Sequence, residues 1–111
     1  MLDELKAELE QARQLDLEQL QSDVEVLMQS GAGRRIVWRL LETTHVYQTC
    51  YRDNPLQMAR AEGRREIGLM LLDWITTHTP EHYFTMQKEA HDERRERDAR
   101  QRANRSGGNP A

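Results

Sequence analysis

The chain has 111 residues, of which 37% are hydrophobic, 32% charged and 5% aromatic. This composition predicts one small domain with a small core and argues against a large buried catalytic cavity. The sequence has no apolar run long enough to cross a bilayer, so no membrane partner is expected. Its acidic N-terminus lacks the pattern of a secretory signal. Cys50 is the only cysteine, so neither an intramolecular disulfide nor a Cys-based zinc finger is expected.

The net charge of −3 conceals an uneven distribution of charge along the chain. Residues 1–29 carry two basic and eight acidic side chains, whereas residues 30–79 carry seven arginines and five acidic side chains. Residues 80–111 carry seven basic and six acidic side chains. This division permits the acidic arm of one copy to pair with the basic body of another. Non-specific binding of duplex DNA normally needs a clearer basic surplus.

Residues 2–28 are predicted to form one helix, or two nearly continuous ones. Their apolar residues form two sets, each with spacings of three and four. The two sets are out of heptad register with each other by one residue, and this shift would interrupt a regular coiled coil. The narrow apolar stripe suits one partner helix, from the same chain or from another subunit. The partner-binding residues predicted on this stripe are Leu2, Leu5, Leu9, Leu17, Leu20 and Val24.

Residues 30–33, Ser-Gly-Ala-Gly, predict a flexible linker or a helix C-cap. A second helix is predicted from about residue 34 to residue 43, with Trp38 at the edge of its apolar face. Residues 43–51 are rich in β-branched and aromatic side chains, which predicts an ordered connection, with a short strand as the alternative. The apolar face of the second helix is predicted to comprise Ile36, Val37, Leu40 and Leu41.

A third helix is predicted to begin with Asn54 as the N-cap and Pro55 as the first helical residue, and to end near residue 76. Gly63 and Gly68 interrupt it at modest cost and would allow another helix to approach closely. The residues predicted to point inward are Met58, Ile67, Met70, Leu71, Trp74 and Ile75.

The sequence Thr79-Pro80 repeats the signal of a cap followed by proline and predicts a fourth helix. Its last core candidates are Tyr83, Phe84 and Met86. From residue 88 onward the sequence has no large apolar side chain, but pairs of opposite charge at a spacing of four support a continued helix. Residues 105–111 are predicted to be disordered.

These elements predict an all-α fold, a small helical bundle with a long N-terminal amphipathic helix and an extended charged C-terminal helix or tail. Three regions are predicted: an acidic helical arm over 1–29, a helical core domain over 33–88, and a charged helix with a disordered tail over 89–111. A core segment of about 56 residues is marginal on its own, which favours an assembly protein.

One motif occurs twice, because Gly33-Arg34-Arg35 returns 30 residues later as Gly63-Arg64-Arg65. As a functional hypothesis, Arg34, Arg35, Arg64 and Arg65 form a paired clamp on phosphate or on an acidic protein surface. The favoured alternative is that the glycines allow close packing while the arginines form surface ion pairs. Trp38 and Trp74 are interpreted as core or subunit-interface anchors rather than base-stacking platforms.

Catalytic and metal-binding patterns are not found in the sequence. His78 and His82 have the spacing of two ligands on one helical face, but Thr79-Pro80 lies between them and the ligand set is incomplete. The sequence has no glycine-rich phosphate loop, and nothing marks Cys50 as a reactive thiol. We therefore expect no catalytic residue, no metal and no cofactor.

Two segments of residues 33–90, GRRIVWRLLE and GRREIGLMLL, together with a following TPEHY, carry a family resemblance. They resemble small tailed-bacteriophage proteins of a family first named from a Bordetella podophage. The family pattern has a GRR-x-x-W-R-x-L-E helix, an aromatic-rich connection, a GRR-x-x-G-L-x-L-L helix and a short P-E-x-Y segment. The matching residues are Gly33, Arg34, Arg35, Trp38, Arg39, Leu41 and Glu42, then Gly63, Arg64, Arg65, Gly68, Leu69, Leu71 and Leu72, and finally Pro80, Glu81 and Tyr83.

The resemblance implies a phage protein encoded among head and tail morphogenesis genes, with no catalytic residue to carry over. The leading hypothesis is a non-enzymatic, multicopy virion component at the head–tail (portal) region or internal core, present in the host cytoplasm during assembly. It would dock by helix packing on phage structural proteins. The alternative is a nucleic-acid-binding accessory protein for DNA packaging or regulation, which uses the paired arginines and those of the tail. A toxin or antitoxin-like regulator has only its small size in its favour.

Overall fold

The structure is a computed structural model that describes residues 1–107. It contains four helices in chain order: α1 (Leu2–Gln29), α2 (Gly31–Thr43), α3 (Pro55–His78) and α4 (Pro80–Gly107). No strand occurs in the described residues, so the all-α fold predicted from the sequence is confirmed. The alternative of a short strand within residues 43–51 is wrong, because this segment consists of helix end, turns and irregular chain.

The junction between α1 and α2 is a single residue, Ser30, with an extended backbone (φ −97°, ψ 146°). Its side-chain oxygen accepts a hydrogen bond from the backbone N–H of Gly33 at 2.9 Å, which caps the start of α2. A Cβ added to Gly33 would collide with the carbonyl oxygen of Leu27. Ser30 is also the C-cap residue of α1, so of the two alternatives predicted for residues 30–33 the helix C-cap is confirmed. The flexible linker is wrong, because the N-cap of α2 and the close backbone approach at Gly33 make this segment a tight corner.

The start of α3 follows the prediction. The side-chain oxygen of Asn54 accepts hydrogen bonds from the backbone N–H groups of Leu56 (2.8 Å) and Gln57 (3.2 Å), and Pro55 is the first helical residue. The helix extends two residues beyond the predicted end, to His78. Thr79 then separates α3 from α4, and α4 begins at Pro80 as the sequence predicts.

One hydrophobic cluster holds the four helices together. Met28, Leu41 and Ile75 are fully buried at its centre. The cluster begins near Leu20 of α1, which lies inside the segment that the sequence analysis assigns to the acidic arm. The division of the chain into three regions stays a prediction. The buried members are Val24, Met28, Val37, Leu41, Val46, Ile75 and Met86, with Leu20, Trp38, Leu71, Leu72, Trp74 and Tyr83 packed against them.

Some apolar residues predicted to be core are exposed instead. In α3 the fully buried stripe consists of Ala61, Gly68 and Ile75, seven residues apart, so small residues face the neighbouring elements. Phe84 lies two positions before the buried Met86, which places it about 200° around the helix on the opposite face. The predictions of inward positions are therefore wrong for Ile36, Leu40, Ile67, Met70 and Phe84.

Both ends of the chain project as single helices. Every residue of 1–19 and of 91–107 is exposed, and the whole structure measures 85 × 40 × 15 Å. Residues 105–107 belong to α4, so the prediction of disorder from residue 105 is wrong for these three; residues 108–111 lie outside the described part of the chain. No helix within residues 1–107 is long and apolar enough to span a membrane.

Candidate functional site

A concave surface lies between α2 and α4, and we call it the α2–α4 groove. It encloses about 300 Å³, and an adjoining cavity of about 260 Å³ shares Trp38, Glu42, Ala90 and Arg97 with it. Trp38, Met86 and Ala90 provide the apolar part of the lining. The charged part consists of Arg34, Arg35, Arg39, Glu42, Glu89, Glu93 and Arg97.

Arg34 joins three helices at one end of the α2–α4 groove. Its Nε donates to Oε1 of Glu89 on α4 at 2.8 Å, and its Nη1 donates to the carbonyl oxygens of Met28 (2.8 Å) and Gln29 (3.0 Å). The last carbonyls of a helix lack partners within it and carry partial negative charge, and α1 has no basic residue in its last turn. Arg34 therefore caps α1 from the next helix, and its guanidinium is occupied within the chain.

The other groove arginines are available to a partner. Arg35 and Arg39 lie four residues apart on one side of α2 and are exposed, and Arg97 faces them from α4. Within residues 1–107 none of these three has a carboxylate oxygen within 4.0 Å. Neither Arg39 nor Arg97 was predicted from the sequence as a binding residue, although Arg39 is one of the residues that match the family pattern. Arg39 could have been found from its spacing of four from Arg35, whereas the position of Arg97 depends on how α4 packs.

The second Gly-Arg-Arg motif lies elsewhere. Arg64 and Arg65 line a cleft with His45 and Arg52, beside the connection between α2 and α3, and this cleft is too narrow to admit a water molecule. Nε of Arg65 and Nδ1 of His45 are buried, with no hydrogen-bond partner among the described residues. The two arginine pairs thus line different cavities rather than one clamp.

The residues predicted to bind partners fall into three groups. Leu2, Leu5, Leu9 and Leu17 are exposed on α1, as a partner-binding role requires. Leu20, Trp38 and Trp74 are half-buried against the core. Val24 is 5% exposed and packs inside its own chain, so it is a core residue and is not available to a partner.

A pair of tyrosines fixes the α2–α3 connection on α4. The hydroxyl oxygens of Tyr47 and Tyr83 are 2.6 Å apart, and Nε2 of Gln87 donates to the Tyr83 oxygen at 3.0 Å. The Trp38 and Tyr47 rings lie with their centroids 6.0 Å apart. Burial, and then the hydrogen bond with Tyr83, raise the pKa of the Tyr47 hydroxyl above its usual value.

The described part of the chain contains no cluster of metal-ligating side chains. Across residues 1–107, no three side chains of His, Cys, Asp or Glu are grouped so that they could hold a metal ion. His78 and His82 are half-buried on either side of the break between α3 and α4.

Comparison with known proteins gives one match. The model of a family described as Bbp19-like phage protein matches residues 24–88, which is more than half of the chain. The match confirms the resemblance predicted from the two Gly-Arg-Arg segments, and it begins at Val24, so it includes the part of α1 that contributes to the core. No curated protein and no solved structure matches the chain.

Proposed function

We propose a function from the premise that the chain belongs to the family of Bbp19-like phage proteins, which makes it a bacteriophage protein. The proposed function is that of a non-enzymatic, multicopy structural or assembly component of the virion. Its proposed place is the head–tail (portal) region or the internal core, and its proposed partners are phage structural proteins. During assembly it would be present in the host cytoplasm.

The observation that carries this proposal is the balance of buried and exposed apolar side chains. Among residues 1–107, eight hydrophobic residues are buried in the core, whereas 17 large hydrophobic residues are exposed. Burying one such side chain contributes roughly 1.5–3 kcal/mol, and exposed apolar clusters on a small protein mark surfaces that other proteins cover. Packing against partners would therefore bury apolar surface that the chain's own core leaves exposed.

The shape of the molecule supports the same proposal. It is a thin body, 15 Å in its smallest dimension, with single helices projecting at both ends. Projecting amphipathic helices bind partners by laying an apolar stripe into a groove, and the stripe of Leu2, Leu5 and Leu9 on α1 has the spacing for this mode. A thin body with helical arms suits insertion between larger subunits.

Quantitative mass spectrometry of purified particles tests the proposal. Peptides of this chain should be present in mature virions or in assembly precursors, in several copies per portal ring. A non-structural protein of the same phage, measured in the same preparations, gives the background. Background amounts in both mature and precursor particles would overturn the proposal.

A nucleic-acid-binding accessory role is the second candidate. The observation in its favour is the convergence of Arg52, Arg64 and Arg65 with His45 at one cleft. Titration of the chain with duplex DNA should then show an affinity that falls as salt rises. The variant Arg52→Ala/Arg64→Ala should weaken that binding, and undetectable binding at low salt would exclude this candidate.

A further inference from the structure

We infer that the N-terminal end of α1 in one copy docks into the α2–α4 groove of a second copy. We call residues 1–19 the projecting arm. The inference deepens the proposed function and rests on its multicopy part, because it names the first partner of each copy as another copy of the same chain.

The projecting arm has the chemistry of a ligand for a basic groove. It carries six acidic and two basic side chains, and all of its residues are exposed. Leu2, Leu5 and Leu9 are 71%, 53% and 63% exposed, at spacings of three and four that place them on one side of the helix. Glu4 and Glu8 each precede one of these leucines, so carboxylates flank the apolar stripe.

The α2–α4 groove has the complementary chemistry. Trp38 and Ala90 offer an apolar floor. Arg35, Arg39 and Arg97 offer guanidinium groups that have no ion-pair partner within the described residues. Four arginines and three glutamates line the groove, so arginines exceed carboxylates by one. Residues 90–107 of α4 extend the surface with six arginines and four acidic side chains. This segment is about 27 Å long as a helix and the projecting arm is about 28 Å long, so the two surfaces match in length as well as in charge.

The projecting arm cannot reach the groove of its own chain. α1 is one uninterrupted helix from Leu2 to Gln29, and Val24 and Met28 fix its C-terminal end in the core. At 1.5 Å per residue, Leu2, Leu5 and Leu9 lie roughly 22–33 Å from Val24 along the helix axis. The arm therefore points away from the body, and only another copy can bring a groove to it.

An arm-to-groove contact joins two different surfaces, so it is a heterologous interface. When two copies exchange arms reciprocally, both arms and both grooves are filled and the assembly closes as a dimer; a one-way contact leaves one arm and one groove vacant. The one-way contact leads to a ring when the rotation between neighbours closes, and to an open chain of copies when it does not.

Charge reversal of the full-length chain tests the inference. Wild-type protein should self-associate in sedimentation velocity, more weakly as salt rises. Reversal of the arm (Glu4→Lys/Glu8→Lys) or of the groove (Arg35→Glu/Arg39→Glu) should each weaken self-association by about tenfold or more. Circular dichroism confirms that each variant stays helical.

A mixture of the two variants gives the sharpest outcome. Each variant keeps one wild-type surface, so the equimolar mixture should associate more strongly than either variant alone. Two α3 variants provide matched controls, because Glu62→Lys/Glu66→Lys and Arg60→Glu/Arg64→Glu make the same charge changes at exposed positions four apart. Both controls should associate like the wild type.

Three results would overturn the inference. A wild-type chain that stays monomeric at about 100 µM and low salt excludes it, while the detection of the chain in virions would still support the proposed function. Self-association that persists unchanged in both charge-reversed variants places the interface elsewhere. Duplex DNA binding that the groove variant alone abolishes, without self-association of the wild type, assigns the groove to nucleic acid.

Discussion

The first Gly-Arg-Arg motif (33–35) lies where α1 and α2 meet, and the second (63–65) lies inside α3. In the first, Gly33 is buried against the Leu27 carbonyl, and the following arginine joins three helices. In the second, a Cβ added to Gly63 would have no atom within 4 Å, and Arg64 is exposed. The same three residues therefore form a structural corner in one place and a surface segment in the other.

The difference shows that the position within a helix decides what this motif does. At the start of α2, the motif lies beside the last carbonyls of α1, so a guanidinium there finds acceptors without partners. In the interior of α3, the backbone carbonyls already accept hydrogen bonds within the helix. The close approach in α3 occurs five residues later, at Gly68, whose added Cβ would meet Thr44 and Val46.

The largest expected effect is that of Gly33→Ala. The new Cβ would collide with the Leu27 carbonyl oxygen, which is backbone and cannot rotate away, so α1 and α2 must separate. We expect the free energy of unfolding to fall by about 3 kcal/mol or more. Chemical denaturation followed by circular dichroism at 222 nm measures this loss.

Gly63→Ala is the matched control for this prediction. Its Cβ would have open space, and alanine is the better helix former, so the free energy of unfolding should rise by about 0.5–1 kcal/mol. Equal effects of the two substitutions would contradict the distinction between the two motifs.

Gly68→Ala should have the second largest effect. Its Cβ would lie 2.8 Å from Cγ2 of Val46 and would displace the hydroxyl of Thr44, which donates to the Leu40 carbonyl at 2.9 Å. We expect a loss of about 2 kcal/mol in the same denaturation experiment. If Gly68→Ala and Gly63→Ala have the same free energy of unfolding, the turn after α2 accommodates the added methyl group without loss of stability.

Arg34→Ala should cost about 1.5–2 kcal/mol, because it removes charge-assisted hydrogen bonds to Glu89 and to two carbonyl oxygens of α1. Arg64→Ala, which removes an exposed arginine of the second motif, should change stability by less than about 0.5 kcal/mol. Thermal melting of the two variants side by side measures the contrast. If the two melt alike, the guanidinium of Arg34 does not stabilise the corner.

The smallest effect concerns the connection between the two motifs. Tyr47→Phe removes the 2.6 Å hydrogen bond to Tyr83 and should cost about 1 kcal/mol at neutral pH. Folding raises the pKa of Tyr47, so the folded chain holds the phenolic proton more tightly than the unfolded chain does. The stabilisation by the protonated Tyr47 is therefore fully present below about pH 10 and is lost as the pH rises further. Stability curves between pH 8 and 11 should therefore fall less steeply for Tyr47→Phe than for the wild type.

Local signals in the sequence predicted the helix starts well. The pair Asn54-Pro55 sets the start of α3 through contacts within three residues, so no tertiary information is needed. Ser30 is also an N-cap residue, but the two glycines that follow it in the sequence favoured the prediction of a linker. Whether Gly33 is loose or tightly packed depends on the path of α1, which the local sequence does not contain.

Long-range packing accounts for the predictions that were wrong. Ile67 and Met70 fit an apolar face of α3, yet Ala61 and Gly68 face the core beside the predicted Ile75, because small residues allow closer approach. The groove depends on pairs such as Arg34 and Glu89, which are 55 positions apart. Charge patterns along the chain indicated an acidic arm and a basic body, but they could not place Arg39 and Arg97 on one surface.

The thinness of the body has a consequence for how its backbone exchanges hydrogen with solvent. With Cα atoms spanning 15 Å in the smallest dimension, a single layer of side chains separates the two broad faces. Slowly exchanging amides are therefore confined to the helix segments around Met28, Leu41 and Ile75. In deuterated buffer both helical ends should label within seconds, and slow labelling of either end in assembled particles would mark the segment that a neighbour has covered.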